Sequence, residues 1–136
     1  MAAIDGLGNL AHIGIFVKNL ETSLDYYIEK LGFERTCDYL YKATPRDARI
    51  AFVALGTLVI ELIENGDDFS ANNRESSNHI AMACRDIEAT RKALEERGIV
   101  FEEDTVTSLM DFGENGCRFA MFRGPDGERL EIQELL

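Results

Sequence analysis

The chain has 136 residues, 46% of them hydrophobic and 29% charged, which is the composition of one soluble globular domain. No apolar run approaches the roughly 20 residues of a membrane-spanning helix, so no membrane partner is expected. The formal charge of −11 repels phosphate polymers, so no nucleic-acid partner is expected either. The three cysteines lie far apart without C-x-x-C spacing, and the N-terminus lacks a secretion-signal pattern. Free thiols and a cytoplasmic location are therefore expected.

An internal repeat with a period of about 65 residues organises the chain. The segment HIGIFVKNLETSLDYYIEKLGF, which starts at His12, aligns with HIAMACRDIEATRKALEERGI, which starts at His79. The pattern VIELIE at 59–64 recurs as LEIQEL at 130–135. The repeat predicts one domain over 1–136, composed of module 1 (about 10–65), a linker (66–77) and module 2 (about 78–136).

Each half predicts one helix, preceded by one strand and followed by three. Asn19 and Asp86 carry side-chain oxygens that can cap helices, and apolar residues at helical spacing follow over 20–31 and 87–94. The later strands are predicted at 33–41, 47–55 and 57–64 in the first half, and at 100–107, 117–123 and 128–134 in the second. The sequence therefore predicts an α+β fold of two tandem β-α-β-β-β units.

Two histidines and two glutamates fall on matching strand faces. Side chains alternate between the two faces of a strand, so His12 and His79 lie opposite the apolar residues that would cover the helices. Glu61 and Glu131 lie in the middle of apolar strands, also on the side away from the helix. The chain has no other histidine. We therefore expect these four side chains to share one sheet surface.

These four side chains suit one divalent metal ion. A buried carboxylate without a partner is costly, so it requires a cation, a hydrogen-bond network or water. Two imidazoles and two carboxylates suit Ni²⁺, Co²⁺, Zn²⁺, Mn²⁺ or Fe²⁺ and leave two positions open in six-coordinate geometry. The alternative for each residue alone is a hydrogen-bonded structural histidine or a solvated glutamate. The repeated spacing favours His12, Glu61, His79 and Glu131 as metal ligands.

The repeated segments, together with VIELIEN and FRGPDGERLEI, resemble the signature segments of the vicinal oxygen chelate superfamily. The sequence is similar there to bacterial glyoxalase I (lactoylglutathione lyase) and methylmalonyl-CoA epimerase. This resemblance spans 10–135 and implies paired βαβββ modules whose mixed sheet curls around a metal-binding cleft. It also implies the same four metal ligands. The presence of all four metal ligands favours the proton-transfer enzymes of the superfamily over members that have three protein ligands or bind no metal.

The resemblance implies a metal-dependent, glyoxalase I-like lyase or isomerase. In that chemistry a proton next to a carbonyl is removed, and the metal stabilises the enediolate oxygen as a Lewis acid. Glu131 is the expected base, and Glu61 is the alternative or second base. The expected substrate is a 2-oxo compound or its thiohemiacetal. The alternatives are an epimerase or racemase of an acyl-CoA or sugar-like substrate, and a small-molecule-binding protein without turnover.

Four further residues are candidates for substrate binding. Phe16 stands where bacterial glyoxalase I usually carries an arginine that helps to hold glutathione, and Asn65 matches a residue that contacts the thiol cofactor. Arg118 and Arg129 could meet an anionic substrate or remain solvated surface charges. Residues 108–116 are expected to form either a mobile flap or a plain hairpin loop. A homodimer is expected, and the metal site could form within one chain or across two.

Overall fold

The computed structural model describes residues 10, 12–41, 48–64, 73, 78–110 and 114–136, and their side chains except those of Tyr39 and Tyr41. The first half forms a four-stranded sheet in the spatial order β1-β4-β3-β2. Its strands are β1 (Ile13–Val17), β2 (Glu34–Tyr41), β3 (Ala48–Leu55) and β4 (Leu58–Glu64). Strand β1 runs parallel to β4, and the other neighbours are antiparallel. Helix α1 (Leu20–Asp25) connects β1 to β2 and continues into the turn Tyr26–Lys30.

The second half repeats this design in a separate four-stranded sheet, with the order β5-β8-β7-β6. Its elements are β5 (His79–Ala83), helix α2 (Ile87–Glu96), β6 (Thr107–Leu109), β7 (Cys117–Arg123) and β8 (Arg129–Leu135). The prediction of an α+β fold with two βαβββ modules is confirmed. No helix in the described part of the chain is long and apolar enough to cross a membrane.

Both helices begin where the sequence predicts a cap. The Asn19 side chain accepts a hydrogen bond from the Thr22 N–H at 2.9 Å, and the Asp86 side chain accepts one from the Ala89 N–H at 3.0 Å. Each bond satisfies an N–H group that has no partner within the helix. The caps therefore fix where the chain leaves each opening strand.

A second contact anchors each helix to the end of a strand. Glu64 accepts the Leu20 N–H at 2.6 Å, and Glu134 accepts the Ile87 N–H at 2.9 Å. A carboxylate at a helix N-terminus also interacts favourably with the helix dipole. The internal repeat thus includes this anchor as well as the strands and helices.

The apolar core lies between the helices and one face of each sheet. It draws buried side chains from both halves, including Val17, Leu24, Ile60, Leu62, Ile87, Phe122, Leu130 and Ile132. The helices cover these faces. We call the opposite face of each sheet its open face. The burial pattern therefore agrees with the predicted partition of the strands.

The prediction of one α-helix over 20–31 is wrong in its second part, because Tyr26–Lys30 form a π-helical turn. In this turn the Tyr26 hydroxyl donates to the Arg123 carbonyl at 3.0 Å, and the Tyr27 hydroxyl donates to Glu128 Oε1 at 2.9 Å. Both acceptors belong to the second half of the chain. These long-range hydrogen bonds compensate for the poorer geometry of a π turn.

The predicted strand at 100–107 is also wrong. Phe101 forms a single bridge with Phe122, the chain bends over 102–105, and pairing resumes only at Thr107, opposite Phe119. The two pairings lie six residues apart on this segment but only three residues apart on β7. The segment therefore contains extra residues that do not pair with β7. The Glu102 N–H still donates to the Met121 carbonyl at 2.8 Å, and the Glu102 side chain contacts arginines of the neighbouring strands.

Candidate metal centre

The first His–Glu pair lies on the open face of the first sheet. The register pairs Gly14 of β1 with Glu61 of β4, which places His12, two residues before Gly14, beside the same carboxylate. His12 Nε2 lies 2.8 Å from Glu61 Oε2. Phe52 pairs with Glu61 from the other side, and its ring meets the His12 ring edge-on at 5.4 Å between centroids. An aromatic side chain therefore orients this imidazole.

The second His–Glu pair is built by the same register in the second sheet. Ala81 of β5 pairs with Glu131 of β8, and His79 Nε2 lies 3.2 Å from Glu131 Oε2. Met121 is the neighbour of Glu131 on the other side. The Gln133 side-chain amide donates to Glu131 Oε1 at 3.3 Å. Both carboxylate oxygens of Glu131 therefore have a partner.

The Glu131 carboxylate is buried and the Glu61 carboxylate is partly buried, whereas the imidazoles are half-exposed. The exposed fraction of the side chain is 8% for Glu131 and 15% for Glu61, against 43% for His79 and 42% for His12. A buried carboxylate with only an imidazole and amide near it gains from a cation. Imidazole nitrogen and carboxylate oxygen are donors that suit borderline divalent ions. The chemistry of both pairs thus fits a metal ion.

The four side chains do not share one sheet surface within the chain. His12 and Glu61 belong to the sheet that contains β1 and β4, whereas His79 and Glu131 belong to the separate sheet that contains β5 and β8. In the described residues, no group of three or more His, Cys, Asp or Glu side chains could hold a metal ion. Each sheet therefore supplies two donors, and a four-donor centre requires the two pairs to be brought together.

Arg118, a predicted substrate contact, lies in an ion-pair network at the start of α2. It forms a short contact with Glu88 and lies 3.9 Å from Glu134, the residue that anchors the helix. Arg49 repeats this arrangement at the start of α1 with two glutamates, at 2.8 and 3.7 Å. The repetition indicates that Arg118 supports the helix N-terminus.

Arg129, another predicted substrate contact, shares the open face with Glu131 but is held by Glu102. Its Nη2 lies 3.0 Å from Glu102 Oε2, and Arg123 Nε lies 2.7 Å from the other oxygen. Burial by itself would raise the pKa of Glu102, but the hydrogen bonds and charges of Arg129 and Arg123 lower it. Glu102 therefore stays ionised and neutralises much of the positive charge at this edge of the open face.

Phe16 lies on the open face of the first sheet, on the same strand face as Gly14, and 47% of it is exposed. A cleft of about 350 Å³ runs between β1 and β5, and Gly14, Phe16, His79 and Arg129 contribute to its lining. The predicted contact Asn65 lies outside the described residues, as do residues 111–113 of the predicted flap. The cleft thus brings together open-face residues from both halves.

Sequence reasoning missed a buried polar network that ties the two halves together. Asp126 accepts hydrogen bonds from the Lys18 N–H at 2.9 Å and the Ser23 hydroxyl at 3.4 Å. Glu128 accepts from the Tyr27 hydroxyl and from the Asp126 N–H, both at 2.9 Å. Burial, together with the nearby Asp126 charge, raises the pKa of Glu128. The GPDG turn signal located this hairpin but gave no indication of partners about 100 residues away.

The sequence profile of the Glyoxalase/Bleomycin resistance protein/Dioxygenase superfamily matches residues 9–132. The chain belongs to this superfamily. It is 28% identical over 131 residues to the uncharacterized protein YwkD of Bacillus subtilis, covering 94% of this chain and 98% of the relative. The predicted resemblance is therefore confirmed.

Solved structures of superfamily members have the same fold. A glyoxalase family protein from Enterococcus faecalis superposes with a TM-score of 0.74 at 26% identity, covering 93% of this chain and 97% of that one. A fosfomycin resistance protein from Listeria monocytogenes, complexed with Mn(II) and sulfate, superposes with a TM-score of 0.69 at 18% identity. The coverage there is 96% of this chain and 94% of that one.

Proposed function

We propose that this superfamily member is a metal-dependent, glyoxalase I-like lyase or isomerase that moves a proton next to a carbonyl group. The observation that carries the proposal is the duplicated His–Glu pair. Both modules place an imidazole nitrogen and a carboxylate oxygen within 3.2 Å of each other at the same register position. A structural role does not require the same two residue types at both positions.

His12, Glu61, His79 and Glu131 would hold one divalent ion, either Ni²⁺, Co²⁺, Zn²⁺, Mn²⁺ or Fe²⁺. When bound, such an ion supplies Lewis-acid stabilisation of the oxygen that gains charge. The carboxylates of Glu131, which is buried, and of Glu61, which is partly buried, support this assignment, because the ion-pair partner of each in the described residues is an imidazole and not an ammonium or guanidinium. The ion would offset the part of the desolvation cost that the imidazole and amide partners leave.

Glu131 is the proposed base, and Glu61 is the alternative or second base. His79 and Gln133 each hold one oxygen of Glu131, so its carboxylate is fixed in the sheet. A fixed carboxylate on the open face can take a proton from the carbon next to a carbonyl and return it to a neighbouring carbon. A 2-oxo compound or its thiohemiacetal provides such a carbon.

We further propose that two copies of the chain build the metal site, as a homodimer in the cytoplasm. Each sheet supplies only two donors, so the pair from one copy would complete the pair from another. The three cysteines are free, which supports a reducing compartment.

Mixing two inactive variants tests the shared site. His12→Ala and His79→Ala proteins should each lose bound metal and proton exchange. If the site spans two copies, mixing and reassembling them should restore roughly a quarter of the wild-type metal content, because half of the dimers are mixed and each has one intact site. The metal content is measured by elemental analysis. Sites built within one chain would give no recovery.

A small-molecule-binding protein without turnover is the second candidate, and the absence of a three-donor group in the described part of one chain favours it. Proton exchange with solvent separates the two candidates. The protein is reconstituted with each metal and incubated in D₂O with 2-oxo and thiohemiacetal compounds. An enzyme should incorporate deuterium next to the carbonyl. Tight binding with no bound metal and no incorporation would establish the binding protein.

A further inference from the structure

We propose that the substrate of this site carries a carboxylate about two or three carbons from the reacting carbonyl, and that Arg129 binds this carboxylate. The inference rests on the proposed function, and it adds the chemical class of the ligand. It follows from the row of side chains beside the second His–Glu pair, from the incomplete pairing of Arg129, and from the spacing along β8.

A row of basic side chains crosses the open face of the second sheet. The strand registers place Arg129 of β8 directly between Arg123 of β7 and His79 of β5. Side chains at paired positions lie on the same face, and like charges that face each other there repel. Glu131 follows Arg129 by two residues on the same face of β8. Two guanidinium groups therefore lie side by side next to the proposed metal ligands.

One carboxylate serves both guanidinium groups. Arg123 Nε lies 2.7 Å from Glu102 Oε1, and Arg129 Nη2 lies 3.0 Å from Glu102 Oε2. These are the ion pairs of the two arginines within the part of the chain that the structure describes, so the three groups carry one surplus positive charge. Arg123 also donates Nη1 to the carbonyls of Asn73 and Gly127, at 3.2 and 3.0 Å. Arg129 is thus the less fully bonded of the two.

Arg129 Nε is buried and has no hydrogen-bond partner among the described residues. Buried N–H groups are nearly always paired, and the exceptions mark places where an ion, a ligand or water completes the contact. The Arg129 side chain lines the cleft between β1 and β5 and is 29% exposed, so a ligand can approach it there. Glu102 holds it through one nitrogen only. The two-point contact that a guanidinium makes with a carboxylate is therefore still open.

The acidic residue that lines the same cleft does not take this place. Glu128 accepts hydrogen bonds from the Tyr27 hydroxyl and the Asp126 N–H, and no ion pair within the described ranges joins it to Arg129. Burial raises the pKa of Glu128, which reduces its negative charge at a given pH. The formal charge of −11 repels anions at long range. Binding of an anion thus depends on a local contact, and Arg129 supplies one.

The spacing along β8 sets the distance between the two ends of the ligand. Arg129 and Glu131 are two residues apart on one strand face, which corresponds to about 7 Å. A carboxylate attached directly to the carbonyl would lie at the proposed metal ion instead, since a divalent ion also binds carboxylate oxygen. A second carboxylate must be separated from the carbonyl by a short carbon chain to reach Arg129.

A matched pair of ligands tests the proposal. The probes are 2-oxoglutarate and 5-methyl-2-oxohexanoate, in which an isopropyl group replaces the far carboxylate. Both carry the same 2-oxo acid group, so contacts of that group with a metal ion cancel in the comparison. They are titrated into isotope-labelled protein, and chemical shifts give the dissociation constants. We expect 2-oxoglutarate to bind about threefold to tenfold more tightly, because its far carboxylate pairs with Arg129.

Three variants locate the contact. Arg129→Gln should weaken 2-oxoglutarate binding about threefold to tenfold and change binding of the isopropyl compound by less than about twofold. Glu102→Gln should tighten 2-oxoglutarate binding about twofold to fivefold, because it frees both arginines, and a misfolded protein could not give this gain. Glu103→Gln is the matched control, because it removes the same charge from the neighbouring residue, which has no recorded ion pair in the described segments. It should leave both dissociation constants unchanged.

The outcomes separate this inference from the proposed function. Unchanged 2-oxoglutarate affinity in Arg129→Gln would overturn the inference, as would equal gains in Glu102→Gln and Glu103→Gln. A preference for 2-oxoglutarate that exists only in metal-loaded protein would also overturn it, because the ion and not Arg129 would then hold the far carboxylate. Deuterium incorporation at C3 of 2-oxoglutarate, compared with the same metal without protein, reports proton transfer. An Arg129-dependent preference without incorporation would support the ligand class and contradict the enzymatic role.

Discussion

The two His–Glu pairs share one backbone design but differ in their surroundings. In both sheets a histidine lies two residues before the partner of a mid-strand glutamate. Gln133 fixes the second oxygen of Glu131, whereas the corresponding residue two positions after Glu61 is Ile63. Glu131 is also less exposed than Glu61. The repeat therefore sets where the carboxylates lie, and the neighbouring side chains distinguish what they can do.

Replacing each glutamate by glutamine tests this difference and should give the largest effect. Glu131→Gln should lower the rate of proton exchange about 10²- to 10⁴-fold, because the amide cannot accept the proton. Glu61→Gln should lower it less. Both rates are measured by deuterium incorporation at matched metal content. A Glu131→Gln protein with full turnover and full metal occupancy would refute the assignment of the base.

The contacts between the modules are also unequal, because module 1 contributes two tyrosine hydroxyls, one from the buried Tyr27 and one from the partly buried Tyr26. Tyr27→Phe should lower the free energy of unfolding by about 1–3 kcal/mol, since it leaves Glu128 Oε1 buried without its donor. Tyr26→Phe is the matched control and should cost about 0.5–1.5 kcal/mol, because its hydroxyl is only partly buried. Urea unfolding measures both. Equal losses would show that burial of the acceptor does not decide the cost.

Two glutamates of module 2 should affect stability with opposite dependence on pH. The pKa of Glu128 is raised in the folded protein, mainly by burial, so the folded state keeps a proton that the unfolded chain releases. Its contribution to stability therefore falls as the pH rises from the ordinary carboxyl pKa to the raised value. The pKa of Glu102 is lowered, because the hydrogen bonds and charges of Arg129 and Arg123 outweigh the effect of burial. That contribution is present above the ordinary pKa and is lost as the pH falls through the lowered one.

Glu128→Gln tests this pH dependence. The variant should lack the fall in unfolding free energy that the wild-type protein shows as the pH rises above its carboxyl range. Urea titrations between about pH 4 and pH 8 measure the difference. Glu102→Gln is the control, because it should instead reduce the loss of stability on the acid side. Parallel pH profiles for Glu128→Gln and the wild type would contradict the raised pKa.

The smallest effects are expected from the two helix-supporting arginines. Arg49→Ala and Arg118→Ala should each cost about 0.2–1 kcal/mol of unfolding free energy, since their ion pairs are partly exposed. Arg118→Ala should also leave ligand dissociation constants unchanged. If Arg118→Ala weakens ligand binding while Arg49→Ala does not, Arg118 contacts the substrate and the symmetry between the modules fails at this position.

Much of the site could be predicted because strand periodicity is local. The alternation of side chains correctly placed Glu61 and Glu131 away from the helices, and the histidine positions followed from the repeat. The bend after Phe101 could not be predicted in this way, because a strand-like pattern does not show that Glu102 pairs with Arg123 and Arg129. The partners of Asp126 and Glu128 were equally hidden, since they lie in module 1.

The sequence by itself determined the two modules, the helix caps and the four candidate ligands, because each depends on spacing within one short segment. Only the tertiary structure decided that the candidates form two pairs on two sheets, since strand edges pair over long distances that no local pattern records. It also decided that Arg118 and Arg129 have acidic partners. A side chain's charge is visible in the sequence, but its neutralisation depends on what the fold places beside it.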